Sequence, residues 1–232
     1  MSKRRKPDGV LEGRVNHYAL LKHDADKLTE MANAASGSFE MTITARSAVL
    51  LYIVSLEVLI NRVVDEFWPN SIPAVFQEDA KMWRTIDKWE HVPEIVNGMK
   101  FKKGACPFQY LKPLIAARND YVHAKEGTFR LKLDYRIEKP SGEIKTKPSK
   151  SHPKYDHIGL LKDPSEWIPE DAERVKIYCE ELVTELDRLL GGRLTKNAWL
   201  TSDTLVSDQG QVIRVQRRYK PETSLEKGEA ST

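Results

Sequence analysis

The chain has 232 residues, 40% of them hydrophobic and 31% charged, and a formal net charge of +3. This length suits one principal domain with appendages, and the composition is typical of soluble globular proteins. The most apolar stretch, residues 48–60, still contains Ser55 and Glu57, so we expect no membrane span.

Cysteine usage and the first residues predict where the protein resides. Cys106 and Cys179, the two cysteines of the chain, lie far apart and outside any CxxC spacing, which favours a reducing, intracellular environment. The start, MSKRRKPDG, is basic, but no uninterrupted apolar run follows it, so we expect no secretory signal peptide. A cytoplasmic location is the simplest prediction.

Two helices are predicted in the first third of the chain. The first has apolar residues at three- and four-residue spacing, and the ASGS segment at 35–38 interrupts it. From Thr44 to Phe67 the sequence is apolar nearly all round, which is typical of a helix that other helices surround. We therefore expect residues 44–67 at the centre of the core.

A third amphipathic stripe follows, and after it the helix that carries the candidate site. The stripe consists of Val75, Phe76, Trp83, Ile86 and Trp89. The next helix is predicted to begin near Pro107 or, on stronger grounds, at Pro113, because proline is favoured in the first turn of a helix and disruptive further in. Gly127 is predicted to end it.

Strand patterns and one more long helix complete the predicted elements. Residues 129–137, FRLKLDYRI, alternate between apolar and polar, and a turn at 140–142 followed by EIKTK predicts a hairpin within an insertion. Pro169 begins the last long helix, whose three-four rhythm continues until Gly191. A second short hairpin is predicted around Gly210.

The predicted fold class is therefore mainly α, a helical bundle with small β-hairpin additions. We divide the chain into a basic flexible tail at 1–13 and a helical domain at 14–192, with a strand and loop insertion at about 128–167. A hairpin-like appendage at 193–221 and a disordered tail at 222–232 follow.

The segment ARNDYVHAK, residues 117–125, places polar groups in a helix that otherwise faces the core. Arg118 falls within the apolar arc of this helix, and Asn119 and His123 lie four residues apart on its edge. A buried arginine needs a carboxylate, a phosphate or a subunit interface as a partner. Glu57, an acid within the apolar central helix, is the predicted partner, and an ion pair without chemistry is the alternative interpretation.

The set Arg118, Asn119 and His123 resembles the signature of the HEPN superfamily, an arginine followed directly by a polar residue and a few residues later by a histidine. The order of elements is also similar: an earlier apolar helix with Leu56 and Glu57, the motif helix, and a final amphipathic helix. The likeness covers about residues 14–192, and the strand-like segment before the last helix departs from the simplest bundle. It implies a HEPN-like antiparallel helical bundle.

The resemblance also implies a function: a metal-independent endoribonuclease without a cofactor, in which Arg118 and His123 are catalytic, Asn119 assists and Glu57 supports. Attack by the RNA 2′-hydroxyl would leave a 2′,3′-cyclic phosphate. The expected partners are RNA, a second copy in a homodimer, and an antitoxin or other regulator, as for a toxin or defence protein. The alternative is a catalytically silent module that binds a nucleotide, an RNA or a protein, and likeness of fold does not separate the two.

Clusters of lysine and arginine are candidate phosphate contacts, with solvated loops as the alternative. Among them, Lys102, Lys103, Lys145 and Lys147 are predicted to bind RNA.

Three further sets are assigned to the surface or the core. His23 and Asp24 form an HD pair on the first helix, and His152, Asp156 and His157 lie in a Pro-rich loop. Solvated positions are favoured for both sets, and no metal site is predicted. Phe76, Trp83 and Trp89 could stack bases, but their helical spacing favours core packing.

Overall fold

The computed structural model is mainly helical. It describes residues 16–123, 134–137, 144–147, 153–197, 199–200, 204–206 and 212–214. These residues fall into two units: a helical unit within Asn16–Ser202, and a second unit whose described residues are two short strands near the end of the chain.

The first two helices form a hairpin. Helix α1 spans His17–Ala34, and the Asn16 side chain caps its start by accepting a hydrogen bond from the backbone N–H of Ala19 at 3.3 Å. Helix α2 spans Ser38–Phe67, so its 30 residues extend about 45 Å. It begins six residues before the predicted Thr44. These first turns project from the core, with Phe39 78% exposed.

Helix α2 occupies the centre of the helical unit, as predicted. It packs against α1 and against helices α3, α4, α5 and α6, which are defined below. Its fully buried side chains include Ile53, Leu56, Leu59 and Ile60. By length and composition α2 could cross a membrane, but 56% of its most apolar window is buried by its neighbours, as in the core helix of a globular unit.

The predicted third stripe divides between two helices. Helix α3 spans Ala74–Met82 and helix α4 spans Thr85–Asn97, and extended backbone at Trp83 and Arg84 separates them. Val75 and Phe76 are 60% and 53% exposed, so these two members of the stripe do not join the core, whereas Trp89 is fully buried. The prediction of a single core-facing stripe over residues 75–89 was therefore wrong.

Helix α5 carries the candidate site and spans Phe108–Val122. It begins directly after Pro107, and Pro113 lies inside it, so the earlier of the two predicted starts is correct. The helix ends with His123 as its capping residue, and the predicted end at Gly127 lies outside the described residues. The core-facing residues of α5 are Leu111, Leu114, Ile115 and Ala117.

Helix α6 spans Pro169–Leu189, which confirms the predicted last long helix. Its start is fixed by Asp171, whose carboxylate accepts the backbone N–H of Ile168 at 3.2 Å. A short helix α7, Arg193–Lys196, follows, and the buried Trp199 stacks on Phe67 at the end of α2 with ring centroids 4.5 Å apart.

The segment 153–167, predicted as a loop within an insertion, has little regular structure, with a single 3-10 turn at Pro164–Glu166. It nevertheless contributes to the core, because Tyr155, Ile158, Leu160 and Trp167 are all buried. The Trp167 indole N–H donates to the Leu161 carbonyl at 2.7 Å, which satisfies its polar group in the interior.

Two short antiparallel strand pairs complete the described elements. Strand β1, Asp134–Ile137, pairs with β2, Ile144–Lys147, and strand β3, Thr204–Val206, pairs with β4, Val212–Arg214. The connecting residues lie outside the described residues, as do those of the predicted tails at 1–13 and 222–232.

Candidate functional site

The predicted partners Arg118 and Glu57 meet between α5 and α2. The Nη2 group of Arg118 donates to a carboxylate oxygen of Glu57, and Nη1 donates to Oδ1 of Asn119 at 2.9 Å. The Arg118 side chain is 19% exposed and that of Glu57 is 32% exposed. The guanidinium is thus held by two acceptors at the boundary between core and surface.

Local sequence explains this position. Arg118 directly follows Ala117, which is fully buried, so its aliphatic stem leaves the core side of α5 while the charged head reaches outward. The Nε group of Arg118 is buried and has no hydrogen-bond partner among the described residues. Two of the three guanidinium nitrogens are therefore engaged, and the geometry of the group is fixed.

His123 lies at the end of α5 and is exposed. Its backbone N–H donates to the Asn119 carbonyl at 2.9 Å, which places it one helical turn beyond Asn119. Within the described part of the chain, its imidazole makes no hydrogen bond or ion pair with Arg118 or Asn119. The structure brings Arg118, Asn119 and Glu57 into contact and leaves the imidazole open to solvent.

Sequence reasoning identified Glu57 but missed that it belongs to a row of polar residues on α2, which we call the α2 polar stripe: Glu57, Asn61 and Asp65. They recur every four residues and so lie on one face of the helix. Each faces a cation from a different helix. Glu57 pairs with Arg118 of α5, Asn61 accepts from Lys88 of α4 at 2.7 Å, and Asp65 lies 3.3 Å from the Lys81 ammonium of α3.

Lys88 is the buried member of this row, with only 6% of the residue exposed. Its ammonium donates to Oδ1 of Asn61 and to the backbone carbonyl of Lys81, both at 2.7 Å. Burial lowers the pKa of Lys88 below its usual value, while the charges of Glu57 and Asp65 act to raise it. The four-residue spacing on α2 was the available sequence signal for this site.

The end of α5 is anchored to the 153–167 segment. The Tyr155 hydroxyl donates to the Asp120 carboxylate at 2.7 Å, and the Tyr121 and Trp167 rings stack with centroids 6.2 Å apart. Burial, followed by the bond to Asp120, raises the pKa of the Tyr155 hydroxyl well above its usual value, so it remains a donor. These contacts hold the helical turn that carries Arg118 and Asn119.

Two of the lysines predicted to bind RNA, Lys102 and Lys103, lie near the opposite end of α5 from Arg118. Lys102 and Lys103 precede the first residue of α5, whereas Arg118 lies ten residues after Phe108, about 15 Å further along the axis. The Lys103 ammonium also forms an ion pair with Glu90. Lys145 and Lys147 lie on β2, opposite Arg136 and Asp134, and their side chains are outside the described part of the chain.

The remaining sets show no metal or stacking site in the part of the chain that the structure describes. His23, Asp24, Asp156 and His157 are exposed, and no group of three or more metal-ligating side chains occurs among the described residues, which do not include His152. Trp89 packs against Phe101 at 5.9 Å and Trp83 lies edge-on to His91, while Phe76 is exposed.

Comparison with models of protein families, with curated proteins and with solved structures found no match.

Proposed function

We propose that the protein is a metal-independent endoribonuclease of the HEPN type, built on a HEPN-like antiparallel bundle with β-hairpin additions. One observation carries this proposal: the Arg118 guanidinium is held by Glu57 and Asn119 at the boundary between core and surface, and the exposed His123 lies one helical turn beyond Asn119. The resemblance of these residues to the HEPN signature supports the same assignment.

The chemistry requires a base, an acid and a stabilising cation. An imidazole accepts the proton of the RNA 2′-hydroxyl, whose oxygen then bonds to phosphorus as the bond to the 5′-oxygen breaks. A protonated imidazole returns a proton to the leaving 5′-oxygen. Arg118 stabilises the extra negative charge of the pentacoordinate phosphorane, and Asn119 orients the guanidinium. The products carry a 2′,3′-cyclic phosphate and a 5′-hydroxyl.

A homodimer supplies both the base and the acid, since each chain contributes one His123. The end of α5 is accessible to a second copy, since His123 and Val122, directly before it, are both exposed. We further propose that the enzyme is cytoplasmic, serves as a toxin or defence protein, and is controlled by an antitoxin or other regulator.

The test is cleavage of total RNA and of a tRNA pool in excess EDTA, with analysis of the product ends. Arg118→Met and His123→Ala should each abolish cleavage, while the wild-type products carry cyclic phosphate. His23→Ala and Arg84→Met are the matched controls, because both replace exposed residues away from the motif and should leave cleavage intact. Retained cleavage in His123→Ala would refute the assignment.

The alternative is a non-catalytic module, and one observation favours it: the His123 imidazole makes no hydrogen bond to the Arg118 group within the described residues. In that case Arg118 and Glu57 form a structural pair that borders a binding surface for a nucleotide, an RNA or a protein. The pH profile separates the two functions. Acid-base catalysis gives a rate that depends on a group titrating near neutrality, whereas RNA binding without cleavage leaves intact RNA at every pH.

A further inference from the structure

Lys88 is unusual because its buried ammonium contacts only neutral oxygen atoms. Within the described part of the chain, the Lys88 ammonium donates to two neutral acceptors, the Asn61 amide oxygen and the Lys81 carbonyl. Among the described residues, no carboxylate lies within ion-pair distance of its ammonium. A buried cation without a directly bound anion acts on the nearest carboxylates through the low-dielectric interior.

Those carboxylates are Glu57 and Asp65, which flank Asn61 on the α2 polar stripe at one helical turn on each side. Asp65 already lies beside the Lys81 ammonium, at 3.3 Å. Glu57 is bound by Arg118 and lies one helical turn from Asn61, the residue that accepts from Lys88. Arg118 and Glu57 alone form a neutral pair, whereas the three groups together carry one net positive charge.

We propose that Lys88 is a positioning residue for the candidate ribonuclease site, acting through Glu57. The charge of Lys88 offsets that of Glu57, so that Lys88, Glu57 and Arg118 together present a net positive charge to the phosphate. This inference rests on the proposed ribonuclease function. Because Lys88 is 6% exposed, it does not touch RNA itself.

A structural role must be separated from this one, because Lys88 also joins α4 to α2 and binds a carbonyl in the last turn of α3. Lys88→Met removes the charge and retains most of the buried stem. Asn61→Asp is the second variant: it keeps the lysine in place and gives its ammonium a carboxylate of its own. Lys81→Met is the matched control, since Lys81 faces the same stripe but lies at the Asp65 end.

The measurements are kcat and KM for RNA cleavage in EDTA, on variants shown by circular dichroism to be folded. Lys88→Met and Asn61→Asp should lower kcat on the order of tenfold with little change in KM. This is the pattern expected when a charge that acts through a catalytic residue is removed or neutralised. Lys81→Met should change kcat by less than about twofold. In a Glu57→Gln background, replacing Lys88 should have no further effect on kcat.

A second readout does not depend on cleavage. NMR titration of the Lys88 side chain should show that Glu57→Gln lowers its pKa further, because Glu57 raises that pKa in the wild type. An unchanged Lys88 pKa, or full kcat in Lys88→Met and Asn61→Asp while wild type cleaves RNA, would overturn the role of Lys88 alone. If wild type itself fails to cleave while the Lys88 pKa responds to Glu57→Gln, the ribonuclease function is refuted, and the positioning role with it.

Discussion

Replacing Glu57 with glutamine is the most informative perturbation of the α2–α5 contact, because it removes one charge and keeps the shape. The glutamine amide oxygen can still accept from Arg118, so the effect reports the charge of Glu57. In the variant, the half-buried Arg118 loses its carboxylate partner, and the buried Lys88 loses a negative charge one helical turn from its partner Asn61. Two cations then remain on one side of α2, and we expect the free energy of unfolding to fall.

The magnitude follows from burial. Breaking a fully buried pair costs about 3–5 kcal/mol, and an exposed pair contributes about 0.2–1 kcal/mol. The side chains of Arg118 and Glu57 are 19% and 32% exposed, between these limits, so we expect Glu57→Gln to cost about 2 kcal/mol. Arg118→Met should cost less, about 1 kcal/mol, because Glu57 is the more exposed partner and retains the charge of Lys88 nearby.

Urea denaturation followed by circular dichroism measures the free energy of unfolding of both variants. For a chain of this size, the larger loss corresponds to a Tm lower by about 4–8 °C in a thermal melt. The double variant should be less destabilised than the sum of the single variants, since the two residues interact directly. If Glu57→Gln leaves the free energy of unfolding unchanged, or lowers it less than Arg118→Met does, this account of the α2–α5 contact is wrong.

Two further predictions concern the contacts that hold the bundle. Burial alone would raise the pKa of Asp26, but hydrogen bonds from Lys176, Tyr52 and Lys22 lower this pKa below its usual value. Asp26 therefore stabilises the fold above its unfolded pKa of about 3.9, and this contribution disappears as pH falls through the folded pKa. Asp26→Asn should be less stable than wild type at pH 7, with the difference closing in urea titrations below about pH 4; a constant difference would contradict the linkage. Tyr155→Phe, which removes the bond to Asp120, should lower the free energy of unfolding by about 1 kcal/mol and speed hydrogen exchange in the last turn of α5. Unchanged exchange there would show that Tyr155 does not anchor the turn.

The positions of the long helices could be predicted because their signals are local. The apolar run of α2 and the three-four rhythm of α6 both locate a helix without knowledge of its neighbours. The partnership of Arg118 and Glu57 could also be predicted, because a buried guanidinium requires an anion and Glu57 lies in the most apolar part of α2.

What could not be predicted depends on contacts between distant residues. The break between α3 and α4 falls at Trp83 and Arg84, which carry no glycine or proline signal. The burial of the 153–167 segment depends on partners such as Asp120, 35 residues from Tyr155. Lys88 is one lysine among many in the sequence, and its burial is defined by acceptors on two other helices.

The chemistry of the helix end could be predicted only in outline. The sequence placed Asn119 and His123 on one helix edge, but α5 ends at Val122, and the imidazole lies beyond the last helical residue. The end of a helix depends on what packs against it, and here those contacts come from Tyr155 and Trp167.

The most direct test of the central claim is the end-group analysis of RNA incubated with the purified protein in excess EDTA. The ribonuclease account predicts fragments with 2′,3′-cyclic phosphate ends from wild type, and none from folded Arg118→Met or His123→Ala. Intact RNA with folded wild type, or cyclic phosphate ends that persist in either variant, would contradict it.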